Sequence, residues 1–234
     1  MTLEETALAR LTGNRLLYLD MLEVLRRGTA RVRRAGEDGV LLYDPPSEVW
    51  FVDAATPAAL EEMLPLMEGC TILTGHQMWY KDKLAARFGF QTEQICRQSA
   101  WLNSQIPTIP PFGGEIRRLD QSWAVWTEEH YSHSFGGVAY MEDAIDRGML
   151  GAFVDGQPAG FIATHVEGSM GMLEVLPEYR RRGIGEALLL AMTAFCMEQG
   201  QYPYGQVFTD NEPSLALQRK VGMTLSEELL FWLF

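Results

Sequence analysis

The sequence has little with which to staple a fold or hold a metal. Its cysteines, Cys70, Cys96 and Cys196, are an odd number, widely spaced, with no C-x-x-C pair. That argues against a disulfide framework and for buried free thiols in a reducing cytoplasm. Histidines occur only at positions 76, 130, 133 and 165, and no two have zinc-site spacing with a cysteine, so no metal is expected. Basic residues are also scarce, 19 against 31 acidic ones, for a net charge of −12. That balance speaks against a general nucleic-acid binder and against an anionic membrane surface. The opening MTLEETALAR is acidic and lacks the apolar core of a signal peptide. The most apolar long stretch, residues 187–197, is too short to span a bilayer and is interrupted by Thr193. A cytoplasmic protein is expected.

What is present is an ordinary globular composition: 234 residues, 47% hydrophobic and 21% charged. That length suits one large domain or two small ones. Thr2 with Glu5 reads as a capping box opening a helix. A second helix covers about residues 15–27 and is stopped by Gly28. Segments 30–34 and 40–43, separated by Gly-Glu-Asp-Gly, read as a β-hairpin. A strand at 48–53, a helix from Pro57, a strand at 70–74, a helix at about 78–88 and a strand at 94–102 follow. Residues 103–114 (NSQIPTIPPFGG), with three prolines and two glycines, read as a linker. Beyond it come a strand (115–119), helices (about 122–130 and 141–146) and strands (150–154, 159–166 and 170–176). A helix (183–198), a strand (205–209), a helix (about 213–221) and a last strand (228–234) complete the order. Both halves give helix, helix, hairpin, strand, helix, strand, helix, strand. Their last helices end alike, in Arg87-Phe88-Gly89-Phe90 and Lys220-Val221-Gly222-Met223, which points to an internal repeat.

The informative stretch is Val175-Leu176-Pro177-Glu178-Tyr179-Arg180-Arg181-Arg182-Gly183-Ile184-Gly185. Three arginines precede a helix N-terminus, the wrong end for cations because the helix dipole is positive there. A docked anion resolves the conflict, gripped by backbone N–H groups and guanidinium forks. Gly183 and Gly185 would let the backbone approach it closely. From residue 115 onward the chain has 17 acidic and 8 basic residues, so this cluster concentrates the positive charge of that half.

The stretch resembles the Arg/Gln-x-x-Gly-x-Gly/Ala motif of the GNAT superfamily, the acetyl-coenzyme-A-dependent N-acyltransferases. The Val-x-Pro strand end at Val175 and Pro177 matches as well. A second family signature follows as Asn211-x-x-Ser214-x-x-Leu217 and Lys220-x-Gly222-Met223. The run LPEYRRRG is also similar to the C-terminal domain of glycine N-acyltransferases, which follows a degenerate GNAT-like half. The resemblance implies an α/β fold with a mixed sheet, as two tandem GNAT-like folds of which the C-terminal one is complete. It divides the chain into a degenerate domain (1–102), a linker (103–114) and an acetyltransferase domain (115–234). In the first, Ala54-Ala55-Thr56-Pro57 stands where the arginines and glycines would be.

By resemblance, acetyl-CoA is the co-substrate, held by Val175, Leu176, Arg180, Arg181, Arg182, Gly183, Ile184, Gly185, Glu186, Asn211, Ser214 and Lys220. The fourth strand would splay from the fifth, with a backbone N–H near Val175 as oxyanion donor. Many family members place a Glu base early on this strand. Here that position is Ser169, and the candidate bases are Glu174 and Glu167. The side Glu174 takes depends on whether the strand is bulged. The tyrosine that usually protonates the departing sulfur is replaced by Gln218, with Tyr202, Tyr204 or a water as possible substitutes. His130, Tyr131, His133 and Phe135 fall in the segment that lines the acceptor pocket in this family. The implied activity is N-acetyl transfer to a primary amine of a small molecule or amino acid, by direct attack in a ternary complex. A protein N-acetyltransferase and a catalytically silent coenzyme-A-binding module are the alternatives. No nucleic acid and no membrane are expected as partners, and a homodimer is one assembly the sequence allows.

Overall fold

The computed structural model describes residues 1–133 and 136–234. The chain divides into two compact units that interleave in sequence. The first holds Met1–Ala100, Gln206–Leu215 and Thr224–Phe234, the second Trp101–Gly205 and Ala216–Met223.

The first unit opens on α1 (Leu3–Leu11), with the capping box of Thr2 and Glu5 in place, and α2 (Leu19–Arg26). The expected single helix over 15–27 is shorter because a 3-10 turn, Thr12–Asn14, precedes it and Asn14 Oδ1 accepts from the Leu17 N–H (3.4 Å). β1 (Arg31–Gly36) and β2 (Gly39–Asp44) form the hairpin, and β3 (Val49–Ala54) pairs antiparallel with β2. α3 (Pro57–Met63) leads to β4 (Leu73–Gly75), parallel to β3, and α4 (Lys81–Phe88) leads to β5 (Glu93–Ala100).

β4 and β5 do not pair with each other. The C-terminal strand β12 (Leu230–Leu233) lies between them, antiparallel to both. The expected domain over 115–234 therefore loses its last strand to the first unit. The reason is burial. Leu230, Phe231 and Leu233 are buried, and Phe231 and Leu233 join the core of Leu41, Val52, Leu60, Met63, Tyr80 and Leu84. β11 (Thr224–Leu225) pairs with β5.

The second unit has β6 (Glu115–Arg118), β7 (Leu150–Val154), β8 (Gln157–Thr164) and β9 (Met170–Val175) as an antiparallel meander. The start of β10 (Tyr204–Phe208) is parallel to β9. α7 (Ile184–Glu198) packs Ile184, Leu188 and Met192 on one face of this sheet. α5 (Ala124–His130) and α6 (Gly137–Arg147) cover the other face through Ala124, Met141 and Ile145, against Phe153 and Phe161. α8 (Glu212–Val221) contributes Val221 and Leu217 to the α7 side. Cys70, Cys96 and Cys196 are all buried and in no disulfide. No helix among the described residues is long and apolar enough to cross a membrane.

Candidate active site

β9 meets β8 at Thr164↔Met170, Ala163↔Gly171, Phe161↔Glu174 and Gly160↔Val175. Between the second and third pairs β9 advances three residues while β8 advances two. This is a β-bulge, and Met172 sits in it in the left-handed region, at φ 54°. The bulge shifts the alternation of side chains. Met170 and Leu173, three residues apart, both pack on the α7 side, whereas Met172 packs with Met141 and Phe161 on the α5–α6 side. Glu174 follows Met172 to that second side.

The far edge of β9 is largely uncovered. Its pairing with β10 is confined, among the described residues, to Gly205↔Met170. A Cβ on Gly205 would lie 2.5 Å from the Met170 carbonyl oxygen, so only glycine fits that contact. The Leu176 N–H donates to the Ala159 carbonyl (2.9 Å) and so faces β8. N–H groups alternate between the two edges of a strand, which turns the Val175 N–H toward the uncovered edge.

Past Val175 the chain makes a 3-10 turn, Pro177–Tyr179, and enters α7. The N-cap is Gly183 in the left-handed region, and no side chain caps the helix. The first helical bond runs from the Ala187 N–H to the Gly183 carbonyl (3.0 Å). The N–H groups of Ile184, Gly185 and Glu186 thus have no acceptor within the helix. Arg181 also has positive φ, 66°, so the chain flanking Arg182 turns back on itself and presents successive N–H groups as an anion-binding concavity. Arg180, Arg181 and Arg182 are exposed. Arg180 Nε donates to the Val175 carbonyl (2.9 Å), and the Arg182 guanidinium lies 5.3 Å from the Tyr179 ring centroid. A Cβ on Gly185 would lie 3.6 Å from both Leu217 and Val175, which places α8 and the end of β9 against the start of α7.

The remaining expected residues have other surroundings. Lys220 Nζ donates to Glu186 Oε2 (2.5 Å), so the two form an ion pair between α8 and α7. Asn211 and Ser214 belong to the first unit, where Asn211 Oδ1 accepts from the Ser214 N–H (3.1 Å) and caps α8. Gln218 is buried on α8. Glu167 was expected two residues before Ser169 on one strand face. Instead both lie in the turn between β8 and β9, where strand alternation does not apply. Ser169 Oγ donates to Glu167 Oε1 (2.5 Å). Tyr204 is fully buried and its hydroxyl donates to the Glu167 carbonyl (3.4 Å), so it is engaged structurally.

Glu174 meets the segment after α5. Its Oε1 accepts from the Ser132 N–H (3.2 Å) and from the Ser132 hydroxyl. Ser132 Oγ is in turn 3.0 Å from His133 Nδ1. Burial, and then the charge of Glu174, push the Tyr131 phenol up to about 12. His130 stacks on Trp126, with ring centroids 4.4 Å apart, and bonds the Trp126 carbonyl (2.7 Å). His165 is half-buried against Tyr140, whose hydroxyl lies 2.7 Å from Nδ1, and desolvation holds the imidazole below its ordinary value. Phe135 lies outside the described residues. Ser132 was missed in the sequence. Its only signal there is the polar alternation of His130-Tyr131-Ser132-His133.

The first unit repeats the strand, turn and helix order with opposite properties. All of β4 pairs with β3, at Trp50↔Leu73, Phe51↔Thr74 and Val52↔Gly75. The ladder is extended by the Trp50 N–H on the Ile72 carbonyl and the His76 N–H on the Val52 carbonyl (3.2 and 3.1 Å). The N-terminus of α3 is self-satisfied: Pro57 has no N–H to offer, and Thr56 accepts from the Ala59 N–H (3.2 Å).

Residues 116–223 match the acetyltransferase (GNAT) family. No curated protein matches the sequence. A Drosophila protein of solved structure is 17% identical, with a TM-score of 0.68, over 98% of this chain and 86% of its own. A GCN5-related N-acetyltransferase-like protein from Streptococcus suis is 17% identical, with a TM-score of 0.59 and 99% of each chain covered. A tandem GNAT protein from the clavulanic acid biosynthesis pathway is 18% identical, with a TM-score of 0.52, over 99% of this chain and 93% of its own. At these identities the likeness is one of fold, and it extends over both units. Residues 116–223 are thus a domain of the GNAT acetyltransferase family, an acyltransferase family whose co-substrate is acetyl-CoA.

Proposed function

We propose that the second unit moves the acetyl group of acetyl-CoA to a primary amine of a small molecule or amino acid, by direct attack in a ternary complex in the cytoplasm. The observation that carries this reading is the juxtaposition of an uncapped, glycine-led helix N-terminus with a strand edge left open beyond Met170. The pyrophosphate docks on the N–H groups of residues 183–186, with Arg180, Arg181 and Arg182 around it. Charge-assisted bonds of this kind are worth about 1.5–3 kcal/mol each. The pantetheine arm takes the open edge of β9 as a strand would. The Val175 N–H then faces the thioester carbonyl, where a preorganised donor stabilises the developing oxyanion.

The acceptor arrives as an ammonium and gives a proton to Glu174. Its nitrogen attacks the carbonyl carbon, and the C–S bond breaks as the C=O re-forms and the second proton lost by nitrogen is taken up by the departing sulfur. The sulfur leaves as a thiolate, tolerable for a group whose pKa is about 8.5. Gln218 can donate a hydrogen bond to it but has no proton to give. At the corresponding place in the first unit all of β4 is paired with β3 and α3 is capped by Thr56, which supports a non-binding role for it. The excess of 17 acidic over 8 basic residues from position 115 onward suits a cationic acceptor.

The test is free-thiol release from acetyl-CoA across a panel of amines and peptides, beside calorimetry with coenzyme A. Turnover with small primary amines and one coenzyme site per chain are expected. Turnover on peptides alone would make it a protein acetyltransferase. Coenzyme binding without turnover would make it a binding module.

A further inference from the structure

We infer that Ser132 and His133 form a proton relay that empties Glu174 toward solvent in each catalytic cycle; the inference rests on the acetyl-transfer reading above. Ser132 puts two donors, its N–H and its hydroxyl, on one carboxylate oxygen, Oε1 of Glu174. That leaves Oε2 as the oxygen to meet an acceptor ammonium. Behind Ser132 the chain of contacts continues to His133 Nδ1 at 3.0 Å, and His133 is exposed. The contacts thus run from a half-buried carboxylate to bulk water in two steps.

The order of groups is not that of a nucleophilic triad, because the serine hydroxyl points at the carboxylate and not at the imidazole. It is the order of an exit path. The proton balance of the reaction requires one. An ammonium and a thioester become an amide, a thiol and one proton, so of the two protons lost by nitrogen one ends on sulfur and one must leave the site. In the relay, the protonated Glu174 carboxyl rotates to bring its O–H onto Ser132 Oγ, the Ser132 hydroxyl rotates toward the imidazole, and Ser132 accepts the Glu174 proton as its own passes to Nδ1 of the Nε2–H form of His133. His133 then releases a proton from Nε2 to water and returns to the Nε2–H form by proton exchange with water, and the Ser132 hydroxyl, now carrying the proton from Glu174, again faces the carboxylate. Tyr131, the titratable group that feels the charge of Glu174, keeps its phenol proton at neutral pH because its value is pushed up to about 12, so it does not compete. Ser132 and His133 act through Glu174 and are positioning and relay groups.

The test is steady-state kinetics of the full chain with acetyl-CoA and the best amine of the panel. General acid–base groups typically contribute about 10²–10⁴-fold, and Glu174→Gln should lose that much kcat. Ser132→Ala and His133→Ala should each lose about tenfold or more, below the loss of the base itself. The KM for acetyl-CoA should stay unchanged in both. Ser132→Thr, which keeps the hydroxyl, should recover most of the loss, and added imidazole should restore His133→Ala. A purely structural role for the turn would raise the acceptor KM and give no imidazole rescue. Wild-type kcat in both alanine variants, or a His133→Ala loss that imidazole leaves untouched, overturns the relay alone. Absence of turnover by the wild-type protein with every amine overturns the acetyl-transfer reading and the relay with it.

Discussion

Placing a side chain at Gly183 loads the site where the coenzyme is expected to bind. Gly183 has φ 82°, and a Cβ there would find nothing nearer than Phe112 Cβ at 3.9 Å. Space is therefore available, and the cost is one of backbone. An L-residue held in the left-handed region pays about 1–2 kcal/mol. That cost surfaces in one of two measurements. If the loop keeps its shape, the folded state is destabilised, and for a chain of this length Tm falls by roughly 2–8 °C. If the loop relaxes to an unstrained shape, stability is retained, but the N–H groups must be reassembled on binding and Kd for coenzyme A rises about 5–30-fold. The two losses together should add to about 1–2 kcal/mol. Calorimetric unfolding and calorimetric titration of Gly183→Ala and Gly183→Val measure both. Gly183→Asn should lose least, since asparagine tolerates the left-handed region. A Gly183→Val protein with wild-type Tm and wild-type Kd would refute the reasoning.

Gln218→Ala should lower kcat less than roughly tenfold, well under the general-acid range, and the pH–rate profile should lack a tyrosine-like basic limb near pH ~10. A thousandfold loss would assign the amide a direct chemical role. In the first unit, burial disfavours the His76 imidazolium, but the Asp20 carboxylate (2.9 Å) and the Val52 carbonyl (3.0 Å) at its two ring nitrogens outweigh it and hold it above its ordinary value. Its contribution to stability is complete below about pH 6.5, the unfolded value, and fades as pH rises through the folded one. Urea midpoints should therefore decline with rising pH there, and His76→Gln should flatten that slope. His165, held low by burial, has the reverse sign, with stability lost as pH falls below about 6.5. A Cβ on Gly75 would lie 2.3 Å from Phe231 Cζ, so Gly75→Ala should destabilise by about 1–3 kcal/mol as an overpacked core does. Adding Phe231→Leu should return part of that in thermal unfolding.

The helix N-terminus was legible in the sequence because its chemistry is local. Three arginines, a left-handed glycine and an apolar helix face are all written within a dozen residues. The open edge of β9 and the side taken by Glu174 were less so. The side of Glu174 follows from a bulge whose left-handed residue is Met172, and methionine announces no positive φ; the open edge follows from how far β10 pairs with β9. The placement of Glu167 failed for a related reason: alternation was extended through residues that form a turn. The pairing of β12 with β4 and β5 was not legible, since the hydrophobic pattern of residues 230–233 specifies burial and not the partner. The cap of α3 and the closed β3–β4 ladder were half legible. Thr56-Pro57 shows the cap, but the continuous β3–β4 ladder is a matter of register.

The position of β12 has a consequence for synthesis. The sheet of the first unit has a gap between β4 and β5 until residues 230–233 arrive. At about 5–20 residues per second, the stretch between β5 and β12 takes roughly 6–26 s to emerge. For that interval the nascent unit exposes two unpaired strand edges and an unfilled slot beneath Phe231, features that invite association with other chains. The usual order, with an N-terminal domain complete before the next one follows, is closed to this protein, and a ribosome stalled before residue 230 would hold an open sheet.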